Sequence, residues 1–358
     1  MYLLSFEGLP THLNTPLQPH AGHPGCLSGS GTLDQGQLRT SACQFFEAGL
    51  ASNTRTTYAA GIRRYTNFCK ATKLRTLPAS ESTLILFVTH LATSNISQAT
   101  IKVYLSAVRH VHVLQGLHNL FSQQLTPRLQ IILKGIKKHQ AISHPPRVHL
   151  PITIHILKQI RGILSHKKPS YSEVMLWATC CLAFFGFLRV IEFMIPGVAS
   201  YDPTCHLSMK DVTVDNRDNP RLLQVAIKQS KTDPFRRGVN IYLGATDSAI
   251  CPVKAMSAYL ALRGGQAGPL FITREGKGLT RLAFSSTLDS LLSKLKLDHK
   301  HYNTHSFRIG AATSATQARI PDSQIKMLGR WQSDAYQRYV KTPPTELAKL
   351  SKKLVENA

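Results

Sequence analysis

Apolar and polar positions along the chain first suggest a run of helices. In NTRTTYAAGIRRYTNFCK, from Asn53, the residues Tyr58, Ile62, Tyr65 and Cys69 recur at helical spacing, while Arg55, Arg63, Arg64 and Lys70 lie largely off that stripe. A second helix is predicted over about 80–94. A third, SQATIKVYLSAVRHVHVLQG, has Ser97 as its N-cap, with Ile101, Leu105 and Val108 on one side and Lys102 and Arg109 among its polar positions. A fourth opens at Thr126-Pro127, where proline suits the first helical position, and carries Lys134, Lys137 and Lys138. Residues 43–143 thus read as a helical domain with basic outer faces, expected to track phosphates.

HQAISHPPRVHLP ends the helical pattern, because Pro145-Pro146 favours extended backbone before it, and the domain boundary is placed there. Residues 144–345 are mixed. HLSMKDVTVD and RLLQVAIKQSKTDPFRRGVNIYL alternate in strand fashion, with Leu223, Val225 and Ile227 on one face and then Val239, Ile241 and Leu243. They predict a small antiparallel sheet whose hairpin tip carries Lys231, Arg236 and Arg237. Helices are predicted near 252–263, 281–296, 306–318, 321–329 and 333–341. The fold class expected is α+β, mainly α.

The two ends read differently. Residues 1–42 hold few charges, namely Glu7, Asp34 and Arg39, with much Gly, Pro, Ser and Thr and no period, so a disordered lead-in is expected. Residues 346–358 form a tail with Leu347, Leu350 and Leu354 at helical spacing, expected to dock on a neighbouring protomer or on its own domain.

Charge narrows the partner. The 358 residues include 43 Lys+Arg against 19 Asp+Glu, a formal net charge of +24. Such an excess suits an extended polyanion, and nucleic acid is preferred over a heparin-like or ribosomal partner. The seven cysteines are an odd number without C-x-x-C spacing, which points to reduced thiols in an intracellular protein. His23 and Cys26 lack a second pair, so no metal and no cofactor is expected. The apolar run Val174 to Leu188, ending directly on Arg189, is short for a membrane span and reads as a buried core helix, and the amino terminus lacks the basic region of a signal peptide.

A few residues then invite chemistry. Arg189 follows the apolar run, with Glu192 three positions on as its nearest partner. His305 and Arg308 are likewise three apart in THSFRIGAATSA, and Lys231 sits where a flexible ammonium can reach a neighbouring site. Tyr336 and Tyr339 lie in MLGRWQSDAYQRYVKTP. Phosphodiester transfer needs cations for the non-bridging oxygens, an oxygen nucleophile and a proton for the leaving sugar oxygen. Arginines, a tyrosine and a lysine supply all three without a metal. Each residue also has a plain structural reading: an ion pair, a surface lysine, a helix-end histidine, a packed tyrosine. Their order decides between the two.

That order resembles the tyrosine recombinases of the phage-integrase family. FFGFLRVIEF resembles the first arginine box, with Arg189 as its arginine. IKQSKTD resembles the lysine hairpin, implying Lys231 rather than Lys228; HSFRIGAAT resembles the His-x-x-Arg box, giving His305 and Arg308. LGRWQSDAYQRY resembles the final box, and its interval from Gly329 points to Tyr339 rather than Tyr336. One departure is Arg330, where the family has His or Trp directly after the glycine. Either Trp331 takes that role through a slight shift, which is preferred, or Arg330 adds a third phosphate contact.

The resemblance covers roughly residues 45–345 and implies a SAM-like core-binding domain ahead of a catalytic domain. It implies recombination of double-stranded DNA through a 3′-phosphotyrosine, with four protomers acting together. The GFLR and GRW…Y flavours resemble recombinases of eukaryotic DIRS, Ngaro and Crypton elements, which implies the nucleus in a eukaryote. Rival readings are a catalytically inactive DNA-binding descendant of such a recombinase and a type IB topoisomerase.

Overall fold

The computed structural model describes residues 34–117, 126–143, 148–216, 218–231, 233 and 235–339. The chain divides into two compact units, Met1–Pro146 and Arg147–Ala358.

The first unit contains α1 (Gln35–Ala48), α2 (Ser52–Thr72), α3 (Glu81–Thr93), α4 (Gln98–Leu114) and α5 (Pro127–Ser143). Its core is Tyr65, Phe68 and Cys69 of α2 against Leu84, Phe87 and Leu91 of α3, Ile101, Leu105 and Val108 of α4, and Leu129 and Leu133 of α5. The stripe read from the sequence is therefore the buried face. Gly61 lets α2 and α4 meet, since a Cβ there would lie 2.9 Å from the Tyr104 ring. Ser80 and Ser97 cap α3 and α4 by accepting from the amides of Thr83 and Thr100. Glu81 joins α3 to α5, accepting from the Leu129 amide at 3.1 Å and from Arg128 Nε at 2.9 Å.

The expected lead-in over 1–42 needs correction. Residues 35–42 are helical within α1, which Asp34 caps by accepting from the Gly36 amide at 2.8 Å. No residue of α1 is buried, and Phe45 is 74% exposed. Residues 1–33, with His23 and Cys26, lie outside the described residues, as does the tail at 346–358.

The second unit is built around α7 (Tyr171–Phe185), in which every residue from Met175 to Phe184 is buried. Ser170 and Glu173 start it with a reciprocal capping box. It packs against α6 (Ile154–Leu164), α9 (Pro252–Arg263) and α11 (Ser306–Gln317). Helix α6 is capped by Thr153 and buries Ile156, Leu157, Ile160 and Leu164, an element beyond those expected from the sequence. The sheet is antiparallel in the order β1 (Val212–Val214), β2 (Leu222–Ile227), β3 (Val239–Gly244), with Val225 opposite both Val212 and Ile241. Leu223, Val225 and Ile227 are buried, as their alternation requires. The remaining helices are α8 (Val190–Phe193), α10 (Arg281–Lys294) and α12 (Asp322–Gly329).

Two details set the site. The apolar helix does not run on to Arg189: α7 stops at Phe185, Phe187 turns the chain at φ 48°, and Arg189 becomes the N-cap of α8. The start of α11 is pinned by extended backbone, with the amides of Leu150 and Ile152 donating to the carbonyls of His301 and Ser306 at 2.8 and 2.9 Å. Gly310 permits that approach, because a Cβ would lie 1.7 Å from the Ile152 carbonyl oxygen. Among the described residues no helix is long and apolar enough to cross a membrane.

Candidate active site

Arg308 is the largest fully buried side chain described, at 0% exposure, in a helix whose Gly310, Ala311 and Ala312 admit close packing. Its two terminal nitrogens donate to the main-chain carbonyls of Phe187 and Gly329. The Trp331 ring covers it at 4.3 Å, and the Tyr339 ring lies 6.0 Å away. Burial, followed by the nearby Arg189 charge, pushes its pKa down to about 9, so it stays cationic at neutral pH.

A second arginine arrives from the turn after α12. Arg330 closes that helix in the left-handed conformation at φ 55°, and its side chain runs inward. Its Nη1 donates to the Gly186 carbonyl at 3.0 Å and the Leu328 carbonyl at 3.3 Å. Its Nη2 donates to the Phe187 carbonyl at 3.3 Å and to Glu192 Oε2 at 2.9 Å. Glu192, only 2% exposed, also accepts from Arg189 Nη1 on Oε1 and from the Arg189 amide on Oε2, both at 2.9 Å. Burial alone would raise the Glu192 pKa, but Arg330 and Arg189 outweigh it and hold the carboxyl below its ordinary value. Two guanidiniums thus share one carboxylate, and the third, on Arg308, feels the charge of all of them. The nearest missed partner is Ser230, whose Oγ accepts from Arg189 Nη1 at 3.1 Å, and its place beside Lys231 was the only signal.

The aromatic residues form the other wall. The Trp331 ring stands 5.3 Å from Tyr339, 6.2 Å from Tyr336 and 6.1 Å from Phe187. Gly329 makes room for it, since a Cβ there would fall 1.7 Å from the indole. The His305 ring meets Tyr339 edge-on at 5.1 Å. Burial first, then Arg308 and Arg189, push the His305 pKa down to about 4, so the ring is neutral at pH 7. Asn303, which the motifs did not flag, accepts from the His305 amide at 2.8 Å.

The two tyrosines are not equivalent. They were expected on a helix over 333–341, but Asp334–Arg338 is a 3₁₀ turn, Tyr339 follows as a turn residue, and 340–341 lie outside the described residues. Tyr336 is buried and its hydroxyl donates to Asp322 Oδ2 at 2.5 Å, which raises its pKa. Tyr339 is half-buried, its carbonyl accepts from Thr313 Oγ1 at 3.1 Å, and its hydroxyl has no hydrogen-bond partner among the described residues.

Lys231 stands exposed on the β2–β3 turn, where no ion pair holds it among the described residues. Lys228 is committed elsewhere, to Asp211 at 2.7 Å and to the carbonyls of Pro203 and His206. A cavity of about 690 Å³ separates that turn from α12, lined by Ser230, Phe235, Arg237, Lys326, Arg330 and Trp331 among others. Arg236 and Arg237 are exposed on the turn. In the first unit Arg55, Arg63, Arg64, Lys102, Arg109, Lys134, Lys137 and Lys138 are all exposed, and none is ion-paired among the described residues.

Three buried N–H groups of the cluster, Arg308 Nε, Arg330 Nε and Trp331 Nε1, have no hydrogen-bond partner among the described residues. Buried donors are rarely left unmet, so the cluster is short of an acceptor. Among the described residues no group of His, Cys, Asp and Glu side chains is placed to hold a metal.

Known proteins share this architecture. Residues 45–114 match the family described as phage integrase, N-terminal SAM-like domain. An integrase/recombinase XerD homologue of Selenomonas ruminantium is 24% identical over 306 residues, 83% of this chain and 84% of the relative. The XerH site-specific recombinase bound to palindromic difH substrate in a post-cleavage complex aligns with a TM-score of 0.58 at 16% identity, over 83% of this chain and 78% of that one. The Tn1549 transposon integrase in complex with transposon right-end DNA aligns at 0.56 and 14% identity, over 89% and 98% of the two chains. The fold is that of these site-specific recombinases and integrases, a helical domain whose residues 45–114 match the SAM-like model, followed by a mainly helical domain with a small antiparallel sheet.

Proposed function

We propose that this protein is a site-specific DNA recombinase that breaks and rejoins strands through Tyr339. The observation that carries the reading is the unclaimed Tyr339 hydroxyl on a ring packed against His305 and Trp331, beside a cluster of three guanidiniums. In the proposed step the Tyr339 oxygen attacks a phosphodiester, the O–P bond forms, and the bond to the 5′ oxygen breaks. The product is a 3′-phosphotyrosine and a free 5′ hydroxyl. The neutral imidazole of His305, whose ring meets that of Tyr339, takes the phenol proton, and Lys231 gives one to the leaving 5′ oxygen. Arg189 and Arg308 hold the non-bridging oxygens, and the unpartnered indole N–H of Trp331 donates to one of them. Two of the five N–H groups of Arg308 are held by main-chain carbonyls, and its unpartnered Nε–H is among those left for phosphate.

Attack by a different 5′ hydroxyl then rejoins the strands, and double-stranded DNA is the partner. The exposed basic residues of the first unit supply sequence-independent affinity. Assembly as a tetramer on DNA, docking of the tail on a neighbouring protomer, and an origin in DIRS, Ngaro or Crypton elements are proposed on the sequence motifs alone.

The test is covalent trapping on a pool of nicked duplexes of randomised sequence. Wild type gives a protein–DNA adduct and Tyr339→Phe gives none. An adduct that survives Tyr339→Phe but not Tyr336→Phe overturns the assignment of the nucleophile. Tight binding with no adduct from wild type favours a DNA-binding role without catalysis.

A further inference from the structure

Arg330 is unexplained by the strand-transfer scheme, and its surroundings give it a task. Both of its terminal nitrogens are committed, to Glu192 and to the carbonyls of Gly186, Phe187 and Leu328. It therefore cannot also present its fork to a phosphate. What it does change is the state of Glu192. That carboxylate is fully shielded and joined to Arg189 through both the side chain and the amide. Arg189 and Glu192 alone form a pair with no net charge, and such a pair attracts phosphate weakly. Once Arg330 takes Oε2 at 2.9 Å, the three groups together carry one positive charge. In a site this dry a unit of charge is felt strongly at hydrogen-bonding distance.

The geometry points to Arg330 as a positioning residue for strand cleavage, one that occupies Glu192 so that Arg189 keeps its charge for the phosphate. The inference rests on the strand-transfer reading. The same side chain also ties the segment that leads to Tyr339 onto the Gly186–Phe187 turn, which precedes Arg189. Charge and register thus come from one residue, and the two contributions can be separated experimentally.

The experiment uses the full chain and the nicked duplex pool, and reads DNA affinity, single-turnover adduct rate and melting temperature together. Arg330→Gln keeps amide donors for the carbonyls and removes the charge. It should bind DNA within about threefold of wild type and form adduct more than about 30-fold slower. Adding Glu192→Gln removes the carboxylate left uncompensated, and the double variant should be at least about fivefold faster than Arg330→Gln alone. A purely structural clip predicts the opposite, since the double variant gives up a further charged anchor for Arg189. Arg330→Lys retains a cation beside Glu192 without the fork and should stay within about fivefold of wild type.

Wild-type rates in Arg330→Gln, or a double variant no faster than the single, overturn the inference. If Arg330→Gln fails to fold, a folded Arg330→Lys chain slower by more than about 30-fold overturns the charge argument by itself. Absence of any wild-type adduct overturns the strand-transfer reading, and this inference with it; a wild-type adduct with the wrong variant pattern overturns the inference only.

Discussion

Arg308 is fully buried, held by two main-chain carbonyls and roofed by an indole, whereas Lys231 stands on an exposed turn with no ion pair among the described residues. The proposed strand transfer uses both. The difference follows from what each has to do. A group that stabilises charge in a transition state works best when fixed beforehand, because nothing then has to reorganise as the charge develops. A proton donor for a leaving strand has to meet DNA that is not yet there, so a long side chain on a turn suits it. The buried arginines are therefore expected to fail through geometry, and the exposed lysine through chemistry alone.

The largest effect should come from disturbing the buried side. Gly329→Ala places a Cβ inside the Trp331 ring and forces the indole off Arg308. Overpacking of this kind costs about 1–3 kcal/mol. Thermal unfolding should register that loss, and the adduct rate should fall by about 100-fold or more as the roof is displaced. A Gly329→Ala chain of wild-type rate would mean that Trp331 is not a fixed part of the site.

Lys231→Ala should slow cleavage by about 100-fold, in the range of a lost general acid, while leaving the melting temperature unchanged. A substrate whose 5′ bridging oxygen is replaced by sulfur needs no proton on leaving, and it should be cleaved at equal rates by the variant and wild type. Unequal rates would assign Lys231 to phosphate binding instead.

His305 sharpens the contrast through pH. Its folded pKa, near 4, lies below the ordinary value of 6.5, so the unfolded chain takes up a proton first as pH falls. The stability is complete above about pH 6.5 and erodes as pH drops towards 4. Between pH 7 and 5 wild type should lose about 2 kcal/mol more than His305→Gln, as read by denaturant unfolding at each pH.

The smallest effect belongs to the exposed helices. Arg63→Gln and Arg64→Gln together should weaken binding to all DNA sequences alike and reduce the salt dependence by about 0.9 for each phosphate no longer neutralised. Unchanged salt dependence would remove that face from the DNA interface.

How much of this was legible in sequence depends on separation along the chain. Arg189 with Glu192, and His305 with Arg308, stand three residues apart, so local spacing was enough to pair the first and to align the second. Helices α2 to α5 were legible because each carries an apolar stripe, whereas α1 opens in a stretch whose few charges and many Gly, Pro, Ser and Thr read as unstructured. The contact between Arg330 and Glu192 spans 138 positions and depends on a left-handed residue at the end of α12. Sequence could show Arg330 as a departure, but its role was set by a partner that only folding brings near. Tyr336 and Tyr339 were told apart in sequence only by the interval from Gly329 that the resemblance supplies, and in the fold Asp322 distinguishes them by claiming the Tyr336 hydroxyl.

The strand-transfer reading stands or falls on that separation. Peptide mapping by mass spectrometry of a nuclease-trimmed wild-type adduct locates the phosphotyrosine directly. A single modified residue, Tyr339, is the predicted result. A phosphate linked to Tyr336, the tyrosine buried against Asp322, would contradict it.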